Sequence, residues 1–169
     1  FLQQFGTKSI GKLFGPIMFI WFSMLAVLGL MHINDNLAVL HAFNPLYGLR
    51  LLTTYPKGFL LLGGVFLCTT GAEALYSDLG HCGKSNIRIS WIFVKACLIL
   101  NYLGQGAWLL SHRAGKHLYG PEDDGLLNPF YELMPHSFLY FGIAISTVAA
   151  VIASQALISG TFTLVNEAM

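Results

Sequence analysis

The chain has 169 residues, of which 55% are hydrophobic and only 10% charged, and its formal net charge is +1. Soluble domains carry about 25% charged residues, so the composition excludes a water-solvated globular domain. A charge this near zero also excludes a basic nucleic-acid surface and an acidic tail. The expected class is all-α, a polytopic bundle of transmembrane helices whose solvent is lipid.

A spanning helix needs about 20 mostly apolar residues. Four stretches reach that length, at about 13–33, 58–79, 87–110 and 137–165, within a single membrane domain over 1–169. The sequence opens on Phe1 without an initiator methionine and closes on Met169 straight after an apolar segment, so an excerpt of a longer protein is expected.

Lys8 and Lys12 precede the first run, and the helix is predicted to start near Gly11. Pro16 then falls in the opening turn, where a missing N–H costs no helical bond. Segment 34–57 is half apolar and divided by Pro45 and Pro56, too interrupted to cross a bilayer, so an external interfacial or re-entrant piece is expected. The link 80–86 is short and polar, which makes the second and third spans an antiparallel hairpin. Segment 111–136 is the longest hydrophilic stretch and contains Pro121, Glu122, Asp123, Asp124 and Gly125, the pattern of an external loop.

Short loops rich in Lys and Arg are retained in the cytoplasm. Lys8, Lys12, Lys84 and Arg88 fall on one side of a four-span topology, whereas 111–136 sets Arg113 and Lys116 against Glu122, Asp123, Asp124 and Glu132, two cations less four anions, or −2. Residues 80–88 are therefore expected in the cytoplasm and 111–136 outside, although Arg50 and Lys57 sit on the side called external. Cys68, Cys82 and Cys97 lack close metal-ligand spacing and read as apolar packing residues.

The second span holds the run TTGAEALYSDLGH, residues 69–81, with a carboxylate in an apolar helix. An ionised side chain near the bilayer centre costs about 2.5 to 3.5 kcal/mol even on lenient scales, so Glu73 is expected to face a partner or an aqueous path. At about 100° per residue, Thr69, Thr70, Tyr76 and Ser77 project within about 60° of Glu73. Such a stripe of oxygens suits a hard cation, and Gly63, Gly64 and Gly71 let the helix unwind so that freed carbonyls join in. The bland alternative pairs Glu73 with Lys95 or another helix and assigns the glycines to close packing. Asp78 lies about 140° around from Glu73, near the helix end, where an ion pair or cap competes with a transport role.

In the third span Lys95 is expected to snorkel or pair. Asn101 and Gln105 share a face at i, i+4, with Tyr102 beside them, and either interhelical hydrogen bonds or a pathway lining accounts for them. Ser154 and Gln155 in the fourth span are weaker candidates, since Ser146, Thr147, Ser159 and Gly160 give that helix the small-residue content of a packed membrane interface. No metalloprotease histidine pair or glycine-rich phosphate loop occurs, so no enzyme is indicated and no cofactor is expected.

The chain resembles the Kup family of potassium uptake permeases, which includes plant and fungal high-affinity potassium transporters. GTKSIGKLFGPIMFIWF (6–22) is similar to the family's fifth helix, LHAFNPLYG (40–48) to the external segment after it, and TGAEALYSDLGH (70–81) to the sixth helix. LNYLGQGA (100–107) and VIASQALISG (151–160) are similar to the seventh and eighth. The resemblance implies about a dozen spans in the parent, a LeuT-like (APC-type) inverted-repeat fold, residence in the plasma membrane (the bacterial inner membrane), and symport of potassium with protons. It carries Thr70 and Glu73 onto the cation-coordinating positions of a broken sixth helix, with Tyr76 on the same stripe. It leaves the other ligands to missing helices of the parent chain, with the bilayer and a homodimer as further partners. The third span lacks the proline the family often has in its seventh helix, and Gly80 and His81 are followed by Cys82 where the family often reads GHF. Two other classes compete: a potassium channel-like pore subunit without proton coupling, and a membrane-embedded enzyme or assembly factor using Glu73 otherwise.

Overall fold

A computed structural model of the chain describes residues 7–68, 84–114 and 128–168, and every regular element among them is helical. In chain order these are α1 (Thr7–Ile33), a 3₁₀ helix (Leu37–Phe43), α2 (Pro45–Thr54), α3 (Gly58–Cys68), α4 (Lys84–His112), α5 (Pro129–Glu132) and α6 (His136–Ala168). Three contain stretches long and apolar enough to cross a membrane: Phe14–Ile33, Ile87–His112 and His136–Phe162. The second expected span, 58–79, is described only as far as Cys68, with Gly58–Leu67 as a shorter apolar helix.

Two prolines behave differently from expectation. α1 starts at Thr7, ahead of Gly11, so Pro16 lies inside the helix and not in its first turn. A proline inside a helix leaves a carbonyl without its helical donor, a loss that membrane helices absorb through neighbouring groups and small backbone adjustments. Pro45 marks the expected break in segment 34–57, between the 3₁₀ helix and α2, and it does so as the start of a helix, which was not expected. The Asn44 side chain accepts from the Leu46 N–H at 3.1 Å, and Pro45 occupies the first turn of α2, where no N–H is needed. The same pair recurs at Asn128 and Pro129, where Asn128 accepts from the Phe130 N–H at 3.1 Å and opens α5.

The chain divides into two compact units, Phe1–Val39 with Ser90–Ala153, and Leu40–Ile89 with Ser154–Met169. In the first, α1 and α4 lie side by side. Phe19 stacks on Phe93 with ring centres 5.1 Å apart, the Gly29 backbone meets Leu100, Asn101 and Gly104, and the Ser111 hydroxyl donates to the Asp35 carbonyl at 3.0 Å. Contacts advance in step along both helices, so α1 and α4 run parallel and end on the same side. The start of α6 joins that end. His32 donates through Nε2 to the Leu133 carbonyl at 3.0 Å, while its Nδ1 meets the Asp35 carboxylate at 2.8 Å. Met24, Leu28 and Met134 form a buried cluster flanked by Trp21, Phe130 and Phe138. Lipid tails are as apolar as these side chains, so close fit and interhelical hydrogen bonds, about 0.6 to 2 kcal/mol each, hold such contacts.

In the second unit, α2 ends where the Tyr55 N–H donates to the Leu51 carbonyl at 2.9 Å, and a turn leads to α3. A side chain at Gly58 would put its Cβ 3.0 Å from the Leu52 Cα, so glycine allows the two helices to fold closely together. Phe59 and Phe66 on α3 are 84% and 76% exposed, an outward-facing apolar surface suited to lipid or to further helices.

Candidate functional site

The oxygen-rich stripe expected at Thr70, Glu73 and Tyr76, and Asp78 beyond it, lies outside the described residues. The helix leading to it, α3, is apolar and carries Gly63 and Gly64. Among the described residues, a Cβ on either glycine would meet no heavy atom within 4 Å.

The polar candidates of α4 separate. Asn101 is 4% exposed, lies at the crossing with α1, and its Oδ1 has no hydrogen-bond partner. Gln105, one turn on, is half-buried, while Tyr102 is 65% exposed and points away from the crossing. Among the described residues Asn101 therefore makes no interhelical hydrogen bond through Oδ1, and the three side chains do not converge. An enclosed acceptor without a donor is costly, about 1–3 kcal/mol, which marks Asn101 as the polar group of this crossing that remains unexplained by packing. Ser154, exposed, and Gln155, half-buried, belong to the second unit. Lys95 neither pairs with a carboxylate among the described residues nor extends freely; its Nζ lies 4.6 Å from the centre of the Trp91 ring.

Three positions that the sequence did not single out matter to the geometry: Gly29, which meets Gly104 backbone to backbone; His32, which ties α1 to Leu133; and Trp91. The signal for Gly29 was a lone glycine in a leucine-rich run, which says that something comes close but not what. Among the described residues no three His, Cys, Asp or Glu side chains converge on a metal-sized site. A groove of about 480 Å³ beside α1, lined by Phe19, Met24, Val27, Phe138 and Phe141 among others, is almost wholly apolar and offers a cation nothing.

The whole chain, residues 1–169, matches the family described as the K+ potassium transporter integral membrane domain. The chain belongs to this family. Its similarity to other K+ transporter family members is high: 64% identity over 168 residues to the probable potassium transport system protein Kup of Flavobacterium psychrophilum, covering 99% of this chain. Identity is 58% over 173 residues to the Kup protein of Cytophaga hutchinsonii, and 57% over 171 to that of Clostridium perfringens, covering 99% and 100% of this chain. These alignments take in 25%, 25% and 26% of the relatives, so the chain spans about a quarter of the length of the family members it matches. No solved structure matches the chain.

Proposed function

We propose that the parent protein takes up potassium across the plasma membrane by symport with protons, and that Glu73, Thr70 and Tyr76 contribute the sixth-helix part of its cation site. The observation that carries this is the parallel course of α1 and α4. Two spanning helices that run the same way need an odd number of crossings between them, and 58–79 is the apolar stretch available between Ile33 and Lys84. On this reading Glu73 belongs to a spanning stretch, where a carboxylate is expensive unless it faces an ion, a proton path or a partner. Family membership, with relatives named as potassium transport proteins, supplies the ion.

The chemistry follows from one group with two occupants. A charged Glu73 adds a full negative charge to the neutral oxygens of Thr70 and Tyr76 and holds an alkali cation; a protonated Glu73 does not. Potassium binding displaces the proton from this carboxylate, and symport follows when a second group of the parent holds that proton during the inward step, so that both ions cross in the same direction. The remaining ligands come from parts of the parent outside this chain, in keeping with a LeuT-like inverted repeat whose site lies between half-helices of both repeats.

Rubidium uptake by potassium-starved cells expressing the full-length protein tests this. Glu73→Gln is expected to abolish concentrative uptake at unchanged membrane abundance, and Glu73→Asp to weaken apparent affinity. Thr70→Val is expected to raise KM about 2- to 12-fold, the equivalent of about 0.5 to 1.5 kcal/mol for one polar contact. Wild-type uptake and pH dependence in Glu73→Gln would remove this residue from both roles. Uptake insensitive to a protonophore at clamped voltage would favour a channel-like pore.

A further inference from the structure

α4 carries three lysine or arginine residues, Lys84, Arg88 and Lys95, and no acidic one, and all three precede Cys97. With about 100° between successive residues, the i, i+3, i+7 spacing of Arg88, Trp91 and Lys95 sets them on one face of the helix. Lys95 bends back one turn toward the helix start, bringing Nζ to 4.6 Å from the Trp91 ring centre, inside the roughly 6 Å range of a cation–π contact. Trp91 is 38% exposed, Arg88 and Lys95 are exposed, and the neighbouring α1 contact, Phe19 on Phe93, is apolar.

Depth decides what this face meets. The apolar stretch Ile87–His112 has 26 residues, about 39 Å at 1.5 Å per residue, roughly 9 Å more than a hydrocarbon core of about 30 Å. Shared between the two ends, that excess puts Arg88 among the headgroups and Trp91 at the core edge, where indoles collect. The Lys95 Cα lies about 6 Å deeper, yet its ammonium, folded over Trp91, returns to the level of the ring. Two cations and an indole thus meet the same layer of the bilayer, and the ring leaves ammonium N–H groups free to donate.

We propose that Arg88, Trp91 and Lys95 seat the phosphate headgroup of an anionic phospholipid. The guanidinium matches two phosphate oxygens at once, and Lys95 adds a second positive charge from the deeper side. A zwitterionic lipid brings its own ammonium and gains less. The seat uses no residue of the potassium site, and its test does not read transport.

Native mass spectrometry of the full-length protein, titrated with phosphatidylglycerol and separately with phosphatidylcholine, tests it. Phosphatidylglycerol is expected to bind more tightly. The double variant Arg88→Gln, Lys95→Gln is expected to lower its affinity roughly thirtyfold, about fivefold to sixfold per charge, and to leave phosphatidylcholine unchanged, while Arg88→Lys retains most of the preference. Equal affinity of the wild type for both lipids overturns the proposal, even if the double variant cannot be recovered. So does undiminished phosphatidylglycerol binding by that variant, or displacement of the lipid by millimolar inorganic phosphate. Equal loss of thermal stability with and without phosphatidylglycerol would assign Lys95 to a carboxylate elsewhere in the parent.

Discussion

Gly29 and Gly104 set how near α1 and α4 come to each other. A methyl group at Gly104 would overlap the Gly29 backbone, and one at Gly29 would overlap the Leu100 carbonyl and the Asn101 Cα. Backbone cannot rotate aside as the tip of a side chain can, so Gly104→Ala is expected to destabilise the parent by about 1–3 kcal/mol or more. Gly48, inside α2 with no atom within 4 Å of an added Cβ, is the control: Gly48→Ala should stabilise by about 0.5–1 kcal/mol through helix propensity alone. Thermal melts of the detergent-solubilised protein compare the two, and equal behaviour would refute the close crossing. Residue-scale packing of this kind was only half legible. The sequence marks glycines in membrane helices as points of close approach, but the partner of each is a property of the fold, as the contrast between Gly104 and the open Gly63 demonstrates. Asn101 was legible as polar in an apolar helix; that its Oδ1 would be enclosed and unpaired was not.

At the scale of elements, apolar run length was a good guide to the long helices, because a bilayer demands a minimum length and leaves backbone groups no partner but the helix itself. Prolines misled it. Pro45 reads as a breaker only if the residue before it is ignored; with Asn44 supplying an acceptor to the Leu46 N–H, it becomes a helix start. α2 has ten residues, fewer than an isolated helix needs to be stable in water, so it depends on that cap and on its seat against α3. Asn44→Ala is expected to cost about 0.5–2 kcal/mol, read as faster amide exchange within Pro45–Thr54 and unchanged exchange in α4. Unchanged α2 protection would mean that the bilayer or the rest of the parent, and not the cap, holds this helix.

For the whole molecule, the parallel pair α1 and α4 and their junction with the start of α6 give a topological expectation. Asp35, Ser111 and Leu133 gather at one end of the first unit through the Ser111–Asp35 and His32–Leu133 hydrogen bonds, so positions 35 and 113 should emerge on one side of the membrane and position 84 on the other. Single-cysteine variants of a cysteine-free parent, treated in intact cells with an impermeant thiol reagent, should label at 35 and 113 and stay protected at 84; labelling at 84 and 35 together would break the parallel assignment. Which of the two sides is external is assigned by the charge pattern, from Lys84 and from the acidic residues of 111–136. The candidate site rests on residue chemistry alone: Thr70, Glu73 and Tyr76 declare oxygens on one stripe of an expected helix, and they lie outside the described residues. The glycine crossing also limits which motions are open to these helices. Sliding α1 along α4 by one helical turn would bring Leu25 or Ile33, which share the face of Gly29, into a space that admits only a hydrogen atom, so axial displacement of that kind is blocked while tilting about the contact is not. Gly29 and Gly104 are thus a fulcrum, and any rocking of the parent during its cycle must turn α1 and α4 about that point with no change in their register.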